Sequence, residues 1–136
     1  MTKIGMYNIV VKAVILKKNK VLLLKRSDYQ KENAYEWDLP GGRLEQGEDP
    51  NIAILREVLE ETGLEVTLGQ PYEIFKWYDK QEKVDKVAIT YLAKFKSGKL
   101  KLSSEHEFSD WYEISKLPKD VMPWVKRSLT EAKKLI

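Results

Sequence analysis

The chain has 136 residues, 43% of them hydrophobic and 33% charged, with a formal net charge of +3, which is enough for one well-filled globular domain and too little for two. The absence of cysteine excludes a disulfide framework, a thiolate metal site and a cysteine nucleophile. No run of 18 apolar residues occurs and the first apolar stretch is broken by Lys12 without a small-residue cleavage site, so a membrane-spanning helix and a secretory leader are not expected and the cytoplasm is.

Taken in chain order, Tyr7 to Leu16 and Lys20 to Lys25 are β-branched and aliphatic runs separated by Lys17-Lys18-Asn19, the pattern of two antiparallel strands on a tight turn. Ser27 to Tyr35 is polar and reads as a loop. Trp37-Asp38-Leu39-Pro40-Gly41-Gly42 brings a short extended piece to a glycine corner where backbone can approach a ligand closely. Asp49 before Pro50 is an N-cap with proline at the first helical position, and Gly63 is the matching stop, so a helix is expected over 50–62. Leu64 to Tyr78 looks extended, and Val87, Ile89, Tyr91, Ala93 and Phe95 alternate with mostly polar residues as in a half-buried strand. Phe108 to Ile114 is a further short strand, and Val121, Val125, Leu129, Ala132 and Ile136 recur at helical spacing. This order suits a mixed sheet between helices.

The helix over 50–62 carries the chemistry. At about 3.6 residues per turn, Glu57, Glu60 and Glu61 fall within roughly 100° of arc. Ile52, Leu55, Val58, Leu59 and Thr62 cluster opposite and are expected to form the packed face. Like charges at i, i+3 and i+4 destabilise a helix by about 0.2–0.5 kcal/mol per pair, so a comb of carboxylates points to a cation held there. Oxygen ligands of this kind suit Mg²⁺, with Mn²⁺ as a substitute.

Residues 42–64, GRLEQGEDPNIAILREVLEETGL, resemble the signature of the Nudix hydrolases, G-x5-E-x7-R-E-U-x-E-E-x-G-U with U aliphatic. Gly42, Glu48, Arg56, Glu57, Val58, Glu60, Glu61, Gly63 and Leu64 meet every specified position. The resemblance implies a single Nudix domain over 1–136 with the α/β/α sandwich fold. It implies that Glu57, Glu60 and Glu61 coordinate metal together with the backbone carbonyl near Gly41. It also implies that Arg56 orients a catalytic glutamate and that Glu48 braces the site from the loop.

The general base is left open between the box, with Glu60 as its catalytic candidate, and the later segment Ser104-Glu105-His106-Glu107. That segment resembles the place where many relatives carry an extra acidic residue. Glu105 is preferred, Glu107 is the alternative, and His106, the one histidine, is read as a loop residue in polar contact. Arg26 and Arg43 are candidate phosphate clamps, since guanidinium binds phosphate bidentately. Trp37, with Trp77 and Tyr78 as alternatives, is the candidate for stacking on a nucleobase.

The resulting reading is a Mg²⁺-dependent pyrophosphohydrolase acting on a nucleoside diphosphate linked to a further moiety. Compact size points first to a MutT-like reaction releasing a monophosphate and pyrophosphate from a nucleoside triphosphate. A non-catalytic nucleotide-sensing module and an RNA decapping-type hydrolase are the alternatives. The expected partner is a small-molecule nucleotide, with no membrane, nucleic acid disfavoured by dispersed lysines, and a monomer or homodimer.

Overall fold

A computed structural model describes residues 5–27 and 34–136. Part of the loop expected over 27–35 therefore lies outside the described residues. The elements in order are β1 (Tyr7–Lys17), β2 (Lys20–Arg26), β3 (Trp37–Asp38), β4 (Gly41–Arg43), α1 (Pro50–Thr62), β5 (Leu64–Asp79), β6 (Val84–Gly98), β7 (His106–Glu113) and α2 (Pro123–Lys133). The strands form one mixed sheet with the path β3-β2-β1-β6-β5, while β4 pairs with β1 and β7 with β2. Antiparallel β1 and β2 close the expected hairpin at Lys17↔Lys20, and β1 runs parallel to β6 from Tyr7↔Asp85 to Leu16↔Lys94.

Alternation along β1 builds two cores from one strand. Val11, Ala13 and Ile15 join Ala53, Ile54 and Val58 of α1 in one cluster. Val14 joins Leu23, Leu39, Val125 and Leu129 under α2 in the other. The result is the α/β/α sandwich, with α1 over one face of the sheet and α2 over the opposite one. No helix among the described residues is long and apolar enough to cross a membrane.

Helix α1 has the expected bounds because both ends are fixed locally. The Asp49 side chain accepts from the Asn51 amide at 2.8 Å. Gly63 turns left-handed at φ 75°, with its N–H bonded to the Leu59 carbonyl. The packed face matches the expected one only at Val58 and Thr62. Ala53, Ile54, Val58, Glu61 and Thr62 are buried, whereas Ile52, Leu55 and Leu59 are exposed. The helix is rolled so that two of its glutamates turn inward with the apolar residues. At the other end of the chain α2 begins at Pro123, not Val121. Val121 instead bridges Trp37, and Ile136 lies exposed beyond the helix.

Candidate active site

The inward roll of α1 places the ends of two glutamates in a cavity of about 380 Å³, lined by Glu57, Glu61, Asp38, Glu105, Gly41, Gly42, Lys12, Arg26, Arg43 and His106. Its floor is the glycine corner. The Pro40 carbonyl accepts from the Ala13 amide at 2.9 Å, and Gly41 and Gly42 pair with Lys12 and Val11. The Gly41 N–H then donates to Glu61 Oε1 at 2.7 Å. A Cβ at Gly42 would stand 2.5 Å from the Glu57 carboxylate, so the missing side chain is what lets that carboxylate reach the cavity.

The three box glutamates do not act as one comb. Glu61 is 5% exposed and burial pushes its carboxyl up to about 8 despite nearby Lys12. Glu57 is shifted upward, first by burial, with Arg56 opposing. Glu60 does not line the cavity; its side chain is 58% exposed and accepts from Arg56 Nη1 at 3.2 Å. The single helix face expected for all three is thus corrected to an inner pair and an outer partner of Arg56.

Arg56 is a hub. It grips Glu48 with two hydrogen bonds, Nε to Oε2 at 2.7 Å and Nη2 to Oε1 at 2.9 Å, the bidentate arrangement of a strong charge pair. Nη1 donates to Glu57 Oε1 at 3.0 Å, and Nη2 also reaches the Arg43 carbonyl at 3.2 Å. The Arg56 bond and the Glu45 backbone bond hold the Glu48 carboxyl down at about 2. The guanidinium in turn is shifted upward by Glu48. One side chain therefore ties the loop before α1 to the glutamate in the cavity.

A second charged group faces the glutamates. Asp38 is 1% exposed, and its Oδ2 accepts from Arg26 Nη1 at 3.0 Å and Lys12 Nζ at 3.2 Å. Its Oδ1 takes the Leu39 amide. Lys12 also donates to the Leu39 carbonyl and lies 5.4 Å from the centre of the Trp124 ring. Sequence reading found Arg26 but missed Lys12 and Asp38. The signal was a charged residue in the middle of the apolar run 9–16, which an interior strand position does not tolerate without a partner. Arg43 lines the cavity while pairing with Glu82 in the β5–β6 turn.

A bulge separates the surroundings of Glu105 from those of Glu107. Lys25 pairs with Phe108 but Arg26 pairs with His106, so Glu107 has no register partner and the alternation of side chains is broken there. Glu105 and His106 line the cavity, while Glu107 stands near Lys25 at 4.0 Å. His106 is buried at the start of β7, not in the loop expected, and burial lowers its imidazole to about 4, keeping it neutral at physiological pH.

Trp37 does not line the cavity. It packs edge-on to Tyr112 at 5.3 Å, and its N–H and carbonyl tie down Asp120 and Met122 at the start of α2, so a stacking role is not supported by its position. Trp77 remains accessible and continues a row through Phe75 to Trp124.

Buried or half-buried carboxylates converging on one cavity, one of them resisting ionisation, suit a divalent cation that would stabilise the ionised form. Single ligand atoms of Glu61, Glu105 and His106 lie within 4.8 Å of one another. Glu57 adds a further oxygen donor on the same wall.

The family model described as NUDIX domain matches residues 6–132. The ADP-ribose pyrophosphatase of Methanocaldococcus jannaschii is 29% identical over 82% of this chain, and the match spans 64% of that protein, less than two thirds of its length. The RNA pyrophosphohydrolase of Acidiphilium cryptum is 30% identical, covering 88% of this chain and 82% of the relative. Among solved structures, the MutT protein from Methanosarcina mazei Go1 superposes with a TM-score of 0.84 and 27% identity over 98% of both chains. With its signature helix and sheet matched along nearly the whole chain, this protein belongs to the Nudix hydrolase family, the hydrolases of phosphoric anhydrides.

Proposed function

We propose that this chain, as a single domain working in the cytoplasm, hydrolyses a nucleoside diphosphate linked to a further moiety, with nucleoside triphosphates as the first substrate class. The observation that carries the reading is the opposition of Glu57, Glu61 and Glu105 to Lys12, Arg26 and Arg43 around one cavity. A phosphoric anhydride needs both sides: cations on its oxygens and carboxylates that hold a cation and accept a proton. The relatives' names differ, one acting on ADP-ribose and one on RNA, so they support the bond cleaved more than the group attached to it.

Glu57 and Glu61 are the residues that would hold a divalent ion, Mg²⁺ by first expectation, with the carbonyl near Gly41 beside them. Such an ion would neutralise charge on the phosphate oxygens and polarise the attacking water. Lys12 and Arg26, fixed by Asp38, seat the diphosphate, and Arg43 closes the opposite side. Glu105 accepts the proton of the attacking water as its oxygen bonds to phosphorus, and the bridging P–O bond breaks with the electron pair going to the departing phosphate. Arg56 and Glu48 position Glu57. The base of the substrate would lie along Trp124, whose ring centre is 5.4 Å from the cavity residue Lys12, and on toward Phe75 and Trp77, since any base offers a face to stack.

An RNA 5′ end is the second reading, favoured by the relative from Acidiphilium cryptum. The experiment is a panel of nucleoside triphosphates, ADP-ribose and 5′-triphosphorylated RNA with Mg²⁺ or Mn²⁺, with products resolved by chromatography. Metal-dependent release of a monophosphate and pyrophosphate from free triphosphates is the expected outcome. A preference for the RNA would move the substrate assignment, and no hydrolysis of any member would overturn the enzymatic reading. On the best substrate Glu105→Gln is expected to lower kcat by about 10²–10⁴-fold with KM within a few-fold, and Glu107→Gln to be near neutral.

A further inference from the structure

The mechanism above leaves one buried polar atom in the cavity without a use. His106 is 8% exposed, and its Nδ1 is buried with no hydrogen-bond partner, a situation folded proteins rarely leave unanswered. This nitrogen stands 3.9 Å from Glu61 Oε2. Two donors each about 2.0–2.2 Å from a common ion are about 3–4.4 Å apart, depending on the angle between them. The His106–Glu61 spacing lies inside that window, and Glu105, the exposed member of the trio, completes a set whose ligand atoms all lie within 4.8 Å of one another. The bulge opposite Arg26 places the imidazole there, since it turns Glu107 out of register and leaves His106 paired with Arg26.

An imidazole is the odd donor among carboxylates. Mg²⁺ takes oxygen ligands and keeps its waters, whereas imidazole nitrogen suits first-row transition ions, which also bind mixed nitrogen and oxygen sites more tightly. We infer that His106 Nδ1 is a direct ligand in this cavity, and that the site therefore selects a first-row transition ion over Mg²⁺. This rests on the divalent site proposed above, replaces Mg²⁺ there with a transition ion such as Mn²⁺, and does not depend on which substrate is hydrolysed.

The test uses the metal alone on the untagged chain. His106 is the chain's only histidine, so any imidazole nitrogen coupled to bound Mn²⁺ in pulsed EPR belongs to it. The expected spectrum of the wild-type protein contains that coupling. In calorimetric titrations, His106→Phe is expected to weaken Co²⁺ binding at least about tenfold while changing Mg²⁺ binding by less than about threefold. Bound Mn²⁺ without imidazole coupling overturns the His106 assignment and leaves the metal-dependent hydrolase standing. Absence of any divalent binding overturns both. The EPR measurement needs no variant, so a folding defect in His106→Phe cannot mask the result.

Discussion

Two neighbouring glycines have opposite tasks, and their substitution separates folding from chemistry. A Cβ at Gly41 would fall 2.0 Å from the Val11 carbonyl oxygen, in backbone that cannot move without breaking the β1–β4 pairing. Gly41→Ala is expected to cost at least about 1–3 kcal/mol in urea denaturation. A Cβ at Gly42 meets only the end of the Glu57 side chain. Gly42→Ala should keep a near-normal melting temperature yet require about 10–100-fold more divalent ion for half-maximal turnover, read from metal titrations of rate.

The buried Glu61 supplies a prediction in pH. Its folded-state value of about 8 lies above the ordinary 4.5, so between these values the folded chain holds a proton that the unfolded chain has released. In chelator, stability should therefore fall as pH rises from about 5 toward 8. Glu61→Gln keeps an oxygen to accept the Gly41 N–H but cannot ionise. Its melting temperature should be flatter across the same range, and a wild-type curve as flat as the variant's would refute the assignment. At this scale the sequence was informative where roles follow from the box, as for Arg56 and Glu48, whose bidentate contact is present. It offered Lys12 only as an unexplained charge in an apolar run and could not join it to Asp38, because a pair separated by 26 residues leaves no local pattern.

The helix α1 shows what spacing does and does not determine. Its ends were legible because Asp49, Pro50 and Gly63 act on their own neighbours. Its packed side was legible only in part, because Ile52, Leu55 and Leu59 look like a core stripe to a periodicity argument, while the sheet receives Ala53, Ile54 and Glu61 beside the expected Val58 and Thr62. The glycine corner decides the roll by holding Glu61 through the Gly41 amide. Ile54→Ala is accordingly expected to cost about 2–5 kcal/mol, and Leu59→Gln no more than about 0.5 kcal/mol, both by urea denaturation. Equal costs would put the helix in the orientation read from sequence. Similarly, spacing alone could not tell the surroundings of Glu105 from those of Glu107, since a bulge is a property of two strands together and only the pairing of β7 with β2 reveals it.

For the whole molecule, strand order could not be read from the chain, though strand content could. The parallel pairing of β1 with β6 joins Tyr7 to Asp85, and nothing near either residue announces the other. That pairing has a consequence for synthesis. The central strand of the sheet is made well before its parallel neighbour, and when β2 ends at Arg26, residues 27–98 must still be made before β6 is complete, roughly 4–15 s at about 5–20 residues per second. Through that interval Val11, Ala13 and Ile15 on one side of the hairpin wait for α1 until residue 62 is made, and Val14, Val21 and Leu23 on the other side lack α2 throughout, while β1 has no β6 beside it. Nascent chains arrested before β6 should thus be captured by chaperones or aggregate, whereas arrest after β7 should leave a chain resistant to protease. The same geometry that sets β1 at the middle of the finished sheet leaves it waiting for a neighbour made some seventy residues later.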